Sequence, residues 1–311
     1  MGHVLVTGAA GFIGSHTVDR LLAAGHSVIG VDNFRTGHRV NLAGAFQSAR
    51  FAFHELDVTA SDRLATLFAA TKPDAVVHLA ALVSVQESLT NPDLNFALNV
   101  HATHLVAEAA RAHGVRRIVF ASSAAIYGNA TDLPIRESAE KNPISPYGAA
   151  KLASEELLLG YGAAFGLTVR CQRYFNVFGP RQDPASPYSG VISIFARRYR
   201  DGTGVTIYGD GQQTRDFISV HDVARANVLA TTSPEIGCGA ANICSGRATS
   251  LLDVAGVFAR HYPAIEAPSH GPPRAGDIVH SLGSPELAAA ALGFRAEVAV
   301  ESGLDELINS A

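Results

Sequence analysis

Hydrophobic residues follow two alternating patterns along the first half of the chain. Short apolar runs rich in valine and isoleucine predict buried strands. Between them, apolar residues recur at every third or fourth position, which predicts helices. The predicted strands are residues 3–8, 27–32, 51–56, 74–81, 116–123 and 168–177. The predicted helices are residues 12–25, a helix that begins near Ser61, 95–114 and 147–166.

Continuous apolar strands that alternate with helices indicate a parallel sheet with helices on both faces. Right-handed crossovers would wind these elements into an α/β, doubly wound parallel sheet of the Rossmann type, which binds ligands at the carboxyl ends of its strands. After about residue 175 the alternation stops, and loops rich in proline and glycine appear before a further helix and strand. The sequence therefore predicts a Rossmann domain of residues 1–175 plus 219–246 and a smaller C-terminal α/β substrate lobe of residues 176–218 plus 247–311.

Composition and charge exclude several classes of protein. Hydrophobic residues make up 47% of the 311 residues, which fits a packed globular protein rather than a disordered chain. The formal net charge of -4 offers no basic surface to a nucleic acid or an anionic membrane. The N-terminal MGHVLVTG lacks the regions of a signal peptide, and no apolar run reaches the roughly 18 residues of a membrane span.

Cysteine and histidine usage points to a cytoplasmic protein without a metal. The three cysteines have no CxxC spacing and are expected to be reduced thiols. His101 and His104 share a predicted helix face, but no third ligand lies nearby at metal spacing.

The stretch VTGAAGFIGSH carries Gly8, Gly11 and Gly14 between a predicted strand and a predicted helix. In such a turn the first glycine makes the bend, the second lets the backbone approach a pyrophosphate, and the third lets helix and strand pack closely. Asp32 ends the next strand, where a carboxylate accepts hydrogen bonds from an adenosine ribose and repels a 2′-phosphate. The sequence therefore favours NAD over NADP, although Arg35 is near enough to weaken the distinction.

Tyr147 and Lys151 are four residues apart and should leave the same face of one helix. The chain has three lysines, which leaves 21 of its 24 basic residues as arginine, so a lysine at this spacing stands out. A neighbouring ammonium stabilises a phenolate and lowers the tyrosine pKa. The pair therefore predicts a general base that could take a proton from a sugar hydroxyl.

Together these stretches resemble the extended short-chain dehydrogenase/reductases, and among them the UDP-glucose 4-epimerases and related nucleotide-sugar 4-epimerases. The resemblance spans essentially the whole chain. It is carried by VTGAAGFIGSH, VDNFRTGHRVNL, HLAA, SSAAIYG, SPYGAAK, RYFNVFGPRQDP, TIYGDGQQTRDFISVHDVA and PRAGDIVHS. It implies an isomerase that inverts C4 of a UDP-hexose with bound NAD, through a transient 4-keto intermediate.

The resemblance also assigns residues. It implies a catalytic triad of Ser123, Tyr147 and Lys151. The implied NAD contacts are Gly8, Gly11, Phe12, Ile13, Gly14, Asp32, Asn33, Asp57, Val58, Leu79, Ala80, Ala81, Asn99, Ser122, Tyr147, Lys151, Tyr174 and Val177. Of these, Asn99 is also the polar residue of an apolar helix, where a structural hydrogen bond is expected. The implied UDP-sugar contacts are Ser84, Ser123, Ala124, Tyr147, Asn176, Val191, Thr206, Tyr208, Gln213, Arg215, Arg274 and Asp277.

Three other functions compete with epimerisation. Related 4,6-dehydratases carry an acid and a base where this chain has Ala124 and Ala125, and alanine can do neither task. A 4-keto-sugar reductase would usually require NADPH, which Asp32 disfavours. A non-catalytic protein of this fold would be expected to have lost part of the triad. Tyr127 is interpreted as a packing residue that turns the chain out of the sheet.

The sugar and the oligomeric state are open at this point. By resemblance Ser281 occupies a gate position, where a small residue is associated with bulkier sugars such as N-acetylhexosamines. A uronic acid would need a cation, for which Arg181 is a candidate, although Asp183 lies beside it. Family members usually form homodimers through helices equivalent to residues 95–113 and 147–165, whose apolar faces are compatible with this.

Overall fold

A computed structural model describes residues 2–183, 190–233, 237–273 and 279–310. Its strands are β1 (His3–Thr7), β2 (Ser27–Asp32), β3 (Phe51–Glu55), β4 (Ala75–His78), β5 (Arg117–Ser123), β6 (Thr168–Tyr174), β7 (Asn176–Phe178), β8 (Thr206–Tyr208), β9 (Thr214–Arg215), β10 (Phe217–Ser219), β11 (Gly239–Ile243), β12 (Thr249–Ser250) and β13 (Ser269–Gly271).

The helices flank these strands, with a π-helical turn at Phe96–His101 and three short 3-10 turns, at Arg39–Leu42, Ala45–Gln47 and Ala124–Tyr127. They are α1 (Phe12–Ala23), α2 (Ser61–Thr71), α3 (Val85–Thr90), α4 (Pro92–Asn95), α5 (Ala102–Ala112), α6 (Pro146–Phe165), α7 (Val191–Arg200), α8 (Val220–Thr232), α9 (Leu251–His261), α10 (Glu286–Leu292) and α11 (Val300–Asn309).

Seven parallel strands form the central sheet, in the order β11-β6-β5-β4-β1-β2-β3. The strand order reverses between β1 and β4, which pair from Val4 with Ala75 to Thr7 with His78. This reversal leaves a crevice at the carboxyl ends of the strands, where doubly wound folds bind ligands. The predicted fold class is confirmed.

Alternating residues of each strand face two separate cores, because side chains leave a strand on opposite sides in turn. Val4 and Val6 face the core on the side of α1 and α8, whereas Leu5 faces the core on the side of α2, α5 and α6. β4 is buried along its whole length, as the continuous apolar run predicted. Because both faces of the sheet are packed, the strands are held in place, and so are the residues that follow their carboxyl ends in the crevice.

A third core lies in the C-terminal part of the chain. It joins α7, α9, α11 and the short strands β8 and β10 through residues such as Phe195 and Phe258. α8 packs on the main sheet, and β11 forms one edge of it. Both elements lie within residues 219–246, the segment that the sequence assigned to the Rossmann domain. The division into two domains at those boundaries stays a prediction.

Two predicted elements are interrupted where the chain approaches the crevice. The predicted strand 168–177 ends at Tyr174, and β7 then pairs with β10 in a separate two-stranded sheet. The predicted helix 95–114 consists of the end of α4, the π-helical turn and α5, so Asn99 lies on a wider turn than an α-helix provides. The helix predicted from Ser61 has Ala60 as its N-cap.

Candidate active site

The glycine turn between β1 and α1 leaves space for a ligand on one side only. Gly8 has a φ of +68°, and a Cβ there would lie 2.8 Å from the backbone nitrogen of Ala80. A Cβ on Gly14 would lie 1.9 Å from the Gly8 oxygen. A Cβ on Gly11 would meet only that oxygen, at 3.1 Å, and Gly11 caps α1 without a side-chain hydrogen bond. The open side therefore presents free helix N–H groups, and a dinucleotide pyrophosphate fits such a cradle.

Asp32 is held rigidly at the end of β2. Its Oδ2 accepts the N–H of Ala10 at 2.9 Å, and its Oδ1 accepts the N–H of Phe34 at 2.7 Å. Burial raises the pKa of Asp32, and these backbone hydrogen bonds act against the rise. Each oxygen can accept a further hydrogen bond, as a ribose diol requires. Arg35 forms an ion pair with Glu87, so the cation that weakened the preference for NAD is engaged by a carboxylate.

Polar contacts continue at the ends of the neighbouring strands. Asn33 donates to Asp57 at 2.8 Å, and Thr59 also bonds this carboxylate. Burial raises the pKa of Asp57, but these hydrogen bonds outweigh it and the net shift is downward. Val58, the next predicted contact, is buried in the core. At the predicted adenosine end of the site, Asp57 is therefore tied to Asn33 by a hydrogen bond that favours its ionised form.

The segment after β4 is fixed by side chains from two other elements. Thr7 Oγ1 accepts the N–H groups of Leu79 and Ala80, both at 3.1 Å. Asn99 donates to the Leu82 carbonyl at 3.0 Å and accepts the Leu82 N–H at 3.1 Å. This is the structural hydrogen bonding predicted for Asn99, and its second amide hydrogen goes to Asn95.

The three predicted catalytic residues come together where β5 ends and α6 begins. Ser145 caps α6 by accepting the Gly148 N–H at 3.1 Å, so Tyr147 lies in the first helical turn. Ser123, the last residue of β5, hydrogen-bonds the Tyr147 side chain. Lys151 donates from Nζ to the Ala121 carbonyl at 2.9 Å, and its Nζ lies 5.9 Å from the Tyr147 ring centroid. All three are buried or partly buried at the edge of the crevice.

The expected effect of Lys151 on the Tyr147 pKa is wrong for this arrangement. Burial raises the pKa of Tyr147, and the hydrogen bond from Ser123 acts against the rise. Burial lowers the pKa of Lys151 to about 7. The ammonium donates to the Ala121 carbonyl, and the pKa of Tyr147 shows no contribution from its charge. Desolvation of both groups therefore outweighs their attraction.

Two predicted cofactor contacts use their hydroxyl groups within the protein. Ser122 donates to Glu155 at 2.6 Å, and Tyr174 donates to Asn227 at 2.6 Å. Each hydroxyl has given its single hydrogen to the protein, so it could contact a cofactor only as an acceptor. Tyr127 is fully buried; its hydroxyl donates to Asn242 at 2.7 Å and accepts a hydrogen bond from an arginine of β6. Its surroundings are those of a packing residue.

A cavity of about 430 Å³ opens between β7, β8 and α7, within the usual range for small-molecule sites. Nine of its lining residues, Phe178 and Gln182 among them, were not among the predicted contacts. Gln182 Oε1 is buried without a hydrogen-bond partner among the described residues. The sequence signal was present in the motif RYFNVFGPRQDP, but nothing local distinguished Gln182 from its neighbours. The predicted substrate contacts that line the cavity are Asn176, Val191, Thr206, Tyr208, Gln213 and Arg215; predicted cofactor contact Val177 also lines it.

The remaining predicted substrate residues lie elsewhere or outside the described ranges. Ser84 is the N-cap of α3, and Ala124 begins the 3-10 turn after Ser123. Arg274 and Asp277 lie outside the described residues. Arg181, the candidate partner of a uronic acid, forms an ion pair with Asp19 of α1 at 2.8 Å.

The sequence predicted neither a metal site nor a membrane-spanning helix, and both can be looked for in the described ranges. Within them, no three histidine, cysteine or acidic side chains are grouped so that they could hold a metal ion. No helix in the same ranges has both the length and the apolar character to cross a membrane.

The chain as a whole is similar to known nucleotide-sugar enzymes. The model of the NAD dependent epimerase/dehydratase family matches residues 4–244. The UDP-glucose 4-epimerase of Mycolicibacterium smegmatis is 40% identical over 98% of this chain and 96% of its own length. The structure of Thermotoga maritima UDP-glucose 4-epimerase with UDP-glucose superposes with a TM-score of 0.92 at 36% identity, covering 99% of this chain and 98% of that one. MoeE5 in complex with UDP-glucuronic acid and NAD gives 0.87 at 36% identity, with 99% and 98% covered.

Proposed function

The chain belongs to the NAD dependent epimerase/dehydratase family, and on that premise we propose that it is an NAD-dependent 4-epimerase of a UDP-hexose of the UDP-glucose/UDP-galactose type. The observation that carries the proposal is the meeting of Ser123, Tyr147 and Lys151 at the end of β5, on the sheet edge that continues to a cavity of about 430 Å³. Ser123 pairs with Tyr174 of β6, two residues before cavity residue Asn176.

The residues present fit NAD. The glycine cradle would hold its pyrophosphate, and Asp32 its adenosine ribose. Lys151, buried under the crevice, would hold the nicotinamide ribose. When bound, NAD supplies a hydride acceptor that returns the hydride to the sugar, so the net reaction consumes no cofactor.

Proton transfer would be the task of the triad. Ser123 would hydrogen-bond the oxygen on C4 of the sugar, and Tyr147 would take the proton of that hydroxyl. After the 4-keto sugar turns within the cavity, Tyr147 would return the proton to the oxygen on the other face. Ala124 and Ala125 offer no acid or base at the end of β5, which favours epimerisation over dehydration.

The cavity supports a UDP-sugar as the substrate. Asn176 and Arg215 line the cavity and would hold the diphosphate, for which an arginine fork is suited. The resemblance adds Arg274, which lies outside the described residues. Val191, Thr206 and Tyr208 also line it and would surround the uracil. By the same resemblance Asp277, outside the described residues, would bind a ribose hydroxyl. A modified UDP-sugar, such as UDP-glucuronate or UDP-N-acetylglucosamine, is the second candidate, since the structural neighbour MoeE5 is bound to UDP-glucuronic acid. The ion pair of Arg181 with Asp19 weakens the case for Arg181 as the carboxylate partner.

We further propose a cytoplasmic homodimer. Phe96, before α5, and Phe165, at the end of α6, are 60% and 54% exposed, which is unusual for phenylalanine. A second copy packed on α5 and α6 would cover them. Sedimentation of the purified protein tests this, because a monomer at micromolar concentration would overturn the dimer.

Activity without added cofactor tests the proposed reaction. The purified protein is denatured and its supernatant assayed for NAD. The native protein is then offered UDP-glucose, UDP-N-acetylglucosamine and UDP-glucuronate separately, with the C4 epimer followed by NMR. We expect released NAD and conversion of UDP-glucose. A requirement for stoichiometric NADPH, or no conversion of any of the three, would overturn the proposal.

A further inference from the structure

His78, the last residue of β4, is a buried titratable group that the proposed mechanism does not use. Its side chain is 1% exposed. Its Nδ1 lies 2.7 Å from Thr7 Oγ1, and its Nε2 lies 3.2 Å from Thr103 Oγ1. It therefore joins the end of β1 to helix α5 directly beneath the proposed cofactor site.

The direction of each hydrogen bond in this chain follows from the groups around it. Thr7 Oγ1 already accepts two backbone N–H groups, from Leu79 and Ala80. The Leu79 N–H is shared with the Thr7 carbonyl at 3.2 Å, and the Thr7 hydroxyl has its hydrogen left to donate to His78 Nδ1. The other end of the ring requires the same direction, because Thr103 Oγ1 donates its hydrogen to Asn99 and can only accept from Nε2. Since Nδ1 accepts, the neutral ring carries its hydrogen on Nε2 and donates it to Thr103 Oγ1.

The chain of hydrogen bonds ends on a backbone carbonyl. Thr103 Oγ1 donates to the carbonyl of Asn99 at 2.5 Å. The side chain of the same asparagine holds both backbone groups of Leu82. Residues 79–82 are therefore held at one end through Thr7 and at the other through Asn99, and His78 connects the two.

The surroundings keep His78 neutral. Burial lowers its pKa to about 3, and the nearby Lys151 ammonium acts in the same direction. A protonated ring would carry a hydrogen on Nδ1 and could no longer accept from Thr7. The segment also has little room to shift, because a Cβ on Gly8 would already lie 2.8 Å from the Ala80 nitrogen.

We propose that His78 is a positioning residue for the cofactor: in one fixed tautomer it orients the Thr7 hydroxyl, which sets the backbone of residues 79–82 against NAD. The inference rests on the proposed NAD site. It differs from a simple packing role, in which any side chain of similar volume would serve. The proposed role depends on His78 Nδ1 accepting the Thr7 hydrogen. The protonation of this nitrogen can be observed by NMR, and substitution of His78 can remove it.

The tautomer is tested on the wild-type protein by nitrogen NMR of ring-labelled histidine. The His78 signal is assigned by its loss in His78→Asn. We expect an Nε2–H ring with an unprotonated Nδ1, unchanged from about pH 5 to about pH 8, where ordinary histidines titrate. An Nδ1–H tautomer, or a ring that titrates in this range, would overturn the proposal whether or not NAD binds.

The functional arm compares matched pairs after NAD has been removed. Thr7→Val removes the hydroxyl and Thr7→Ser keeps it. His78→Leu removes the acceptor, and His78→Asn keeps an oxygen near Nδ1. We expect Thr7→Val and His78→Leu to weaken NAD affinity about tenfold, the scale of one or two lost hydrogen bonds, while their partners stay closer to wild type. The KM for the UDP-sugar at saturating NAD should not move.

Equal NAD affinity within each pair would refute the positioning role. A rise in the KM for the UDP-sugar that parallels the loss of NAD affinity would refute it as well. If Thr7→Val does not fold, the His78 pair decides. If the wild type itself does not bind NAD, the proposed function fails, and that outcome is distinguishable because it does not depend on any variant.

Discussion

The cofactor side of the crevice and the substrate cavity are built differently. On the cofactor side, Asp32, Thr7 and Asn99 each accept backbone N–H groups from the segments that follow buried strands β1 and β4. The cavity is lined by short strands and α7, and it contains a buried acceptor, Gln182 Oε1, without a partner among the described residues. A resident cofactor needs a site that is complete before it binds. A substrate exchanged in every turnover can itself supply the missing partners.

The largest expected effect lies where the two sides meet. Tyr147→Phe removes the proposed base, and we expect kcat to fall by roughly 10² to 10⁴ while NAD stays bound. Tyr127→Phe is the control. It loses hydrogen bonds to Asn242 and to an arginine of β6 and should lose about 1–3 kcal/mol of unfolding free energy, with most activity kept. Activity assays measure kcat, NAD release after denaturation measures the bound cofactor, and denaturant unfolding measures the free energy of unfolding. The opposite ranking of the two variants would reverse the assignment.

Glycine substitutions test the cofactor side against the cavity. In Gly14→Ala the new Cβ would lie 1.9 Å from the Gly8 oxygen, so the turn must shift. We expect loss of co-purified NAD and a stability cost of roughly 1–3 kcal/mol. In Gly190→Ala, at the entrance to α7, the Cβ meets no described atom within 4 Å. For Gly190→Ala, the NAD content per chain and the free energy of unfolding should stay near wild type. If Gly190→Ala lost as much NAD and stability as Gly14→Ala, the proposed difference between the cofactor side and the cavity would be wrong.

Arg215→Lys tests whether the cavity binds a diphosphate. The substitution keeps the charge but loses the planar fork, so KM for the UDP-sugar should rise about tenfold with little change in kcat. Arg197→Lys on the exposed face of α7 is the matched control and should leave KM unchanged. A normal KM in Arg215→Lys would remove the arginine from the proposed diphosphate site.

The effect on activity should be smallest at the contact between the two sides, which changes stability instead. His16 of α1 hydrogen-bonds the Pro180 carbonyl at 3.0 Å, and burial lowers its pKa to about 4. The unfolded chain therefore binds more protons than the folded protein between about pH 6.5 and pH 4, and stability falls as the pH falls through this window. The slope for one histidine is at most about 1.4 kcal/mol per pH unit. Urea unfolding should show a shallower slope for His16→Asn, and an unchanged slope would show that His16 does not contribute.

The sequence predicted correctly those features that are determined by residues close together in the chain. β2 spans the predicted residues 27–32, and the glycine turn lies between β1 and α1 as predicted, because both have strong short-range signals. The family and the fold class are confirmed. The role of each site residue, the domain boundaries and the dimer stay predictions.

The sequence was uninformative where a property depends on distant residues. The Tyr147 pKa is set by burial, which the YxxxK spacing does not contain. Gln182 became notable through an oxygen that has no partner among the described residues, and His78 through two threonines on other elements. Arg35 could be interpreted only after its ion pair with Glu87 was seen.

The strand order also has a consequence for how the chain folds. β1 pairs with β4, and β6 pairs with β11, so Val4 meets Ala75 and Arg170 meets Gly239, each about 70 residues away. Contacts this distant slow folding, because long loops must close before the pairing energy is gained. On the ribosome the sheet remains incomplete until more than three quarters of the 311 residues are synthesised. A chain that stops before Gly239 would leave β6 as an open edge, on which other chains can pair and aggregate.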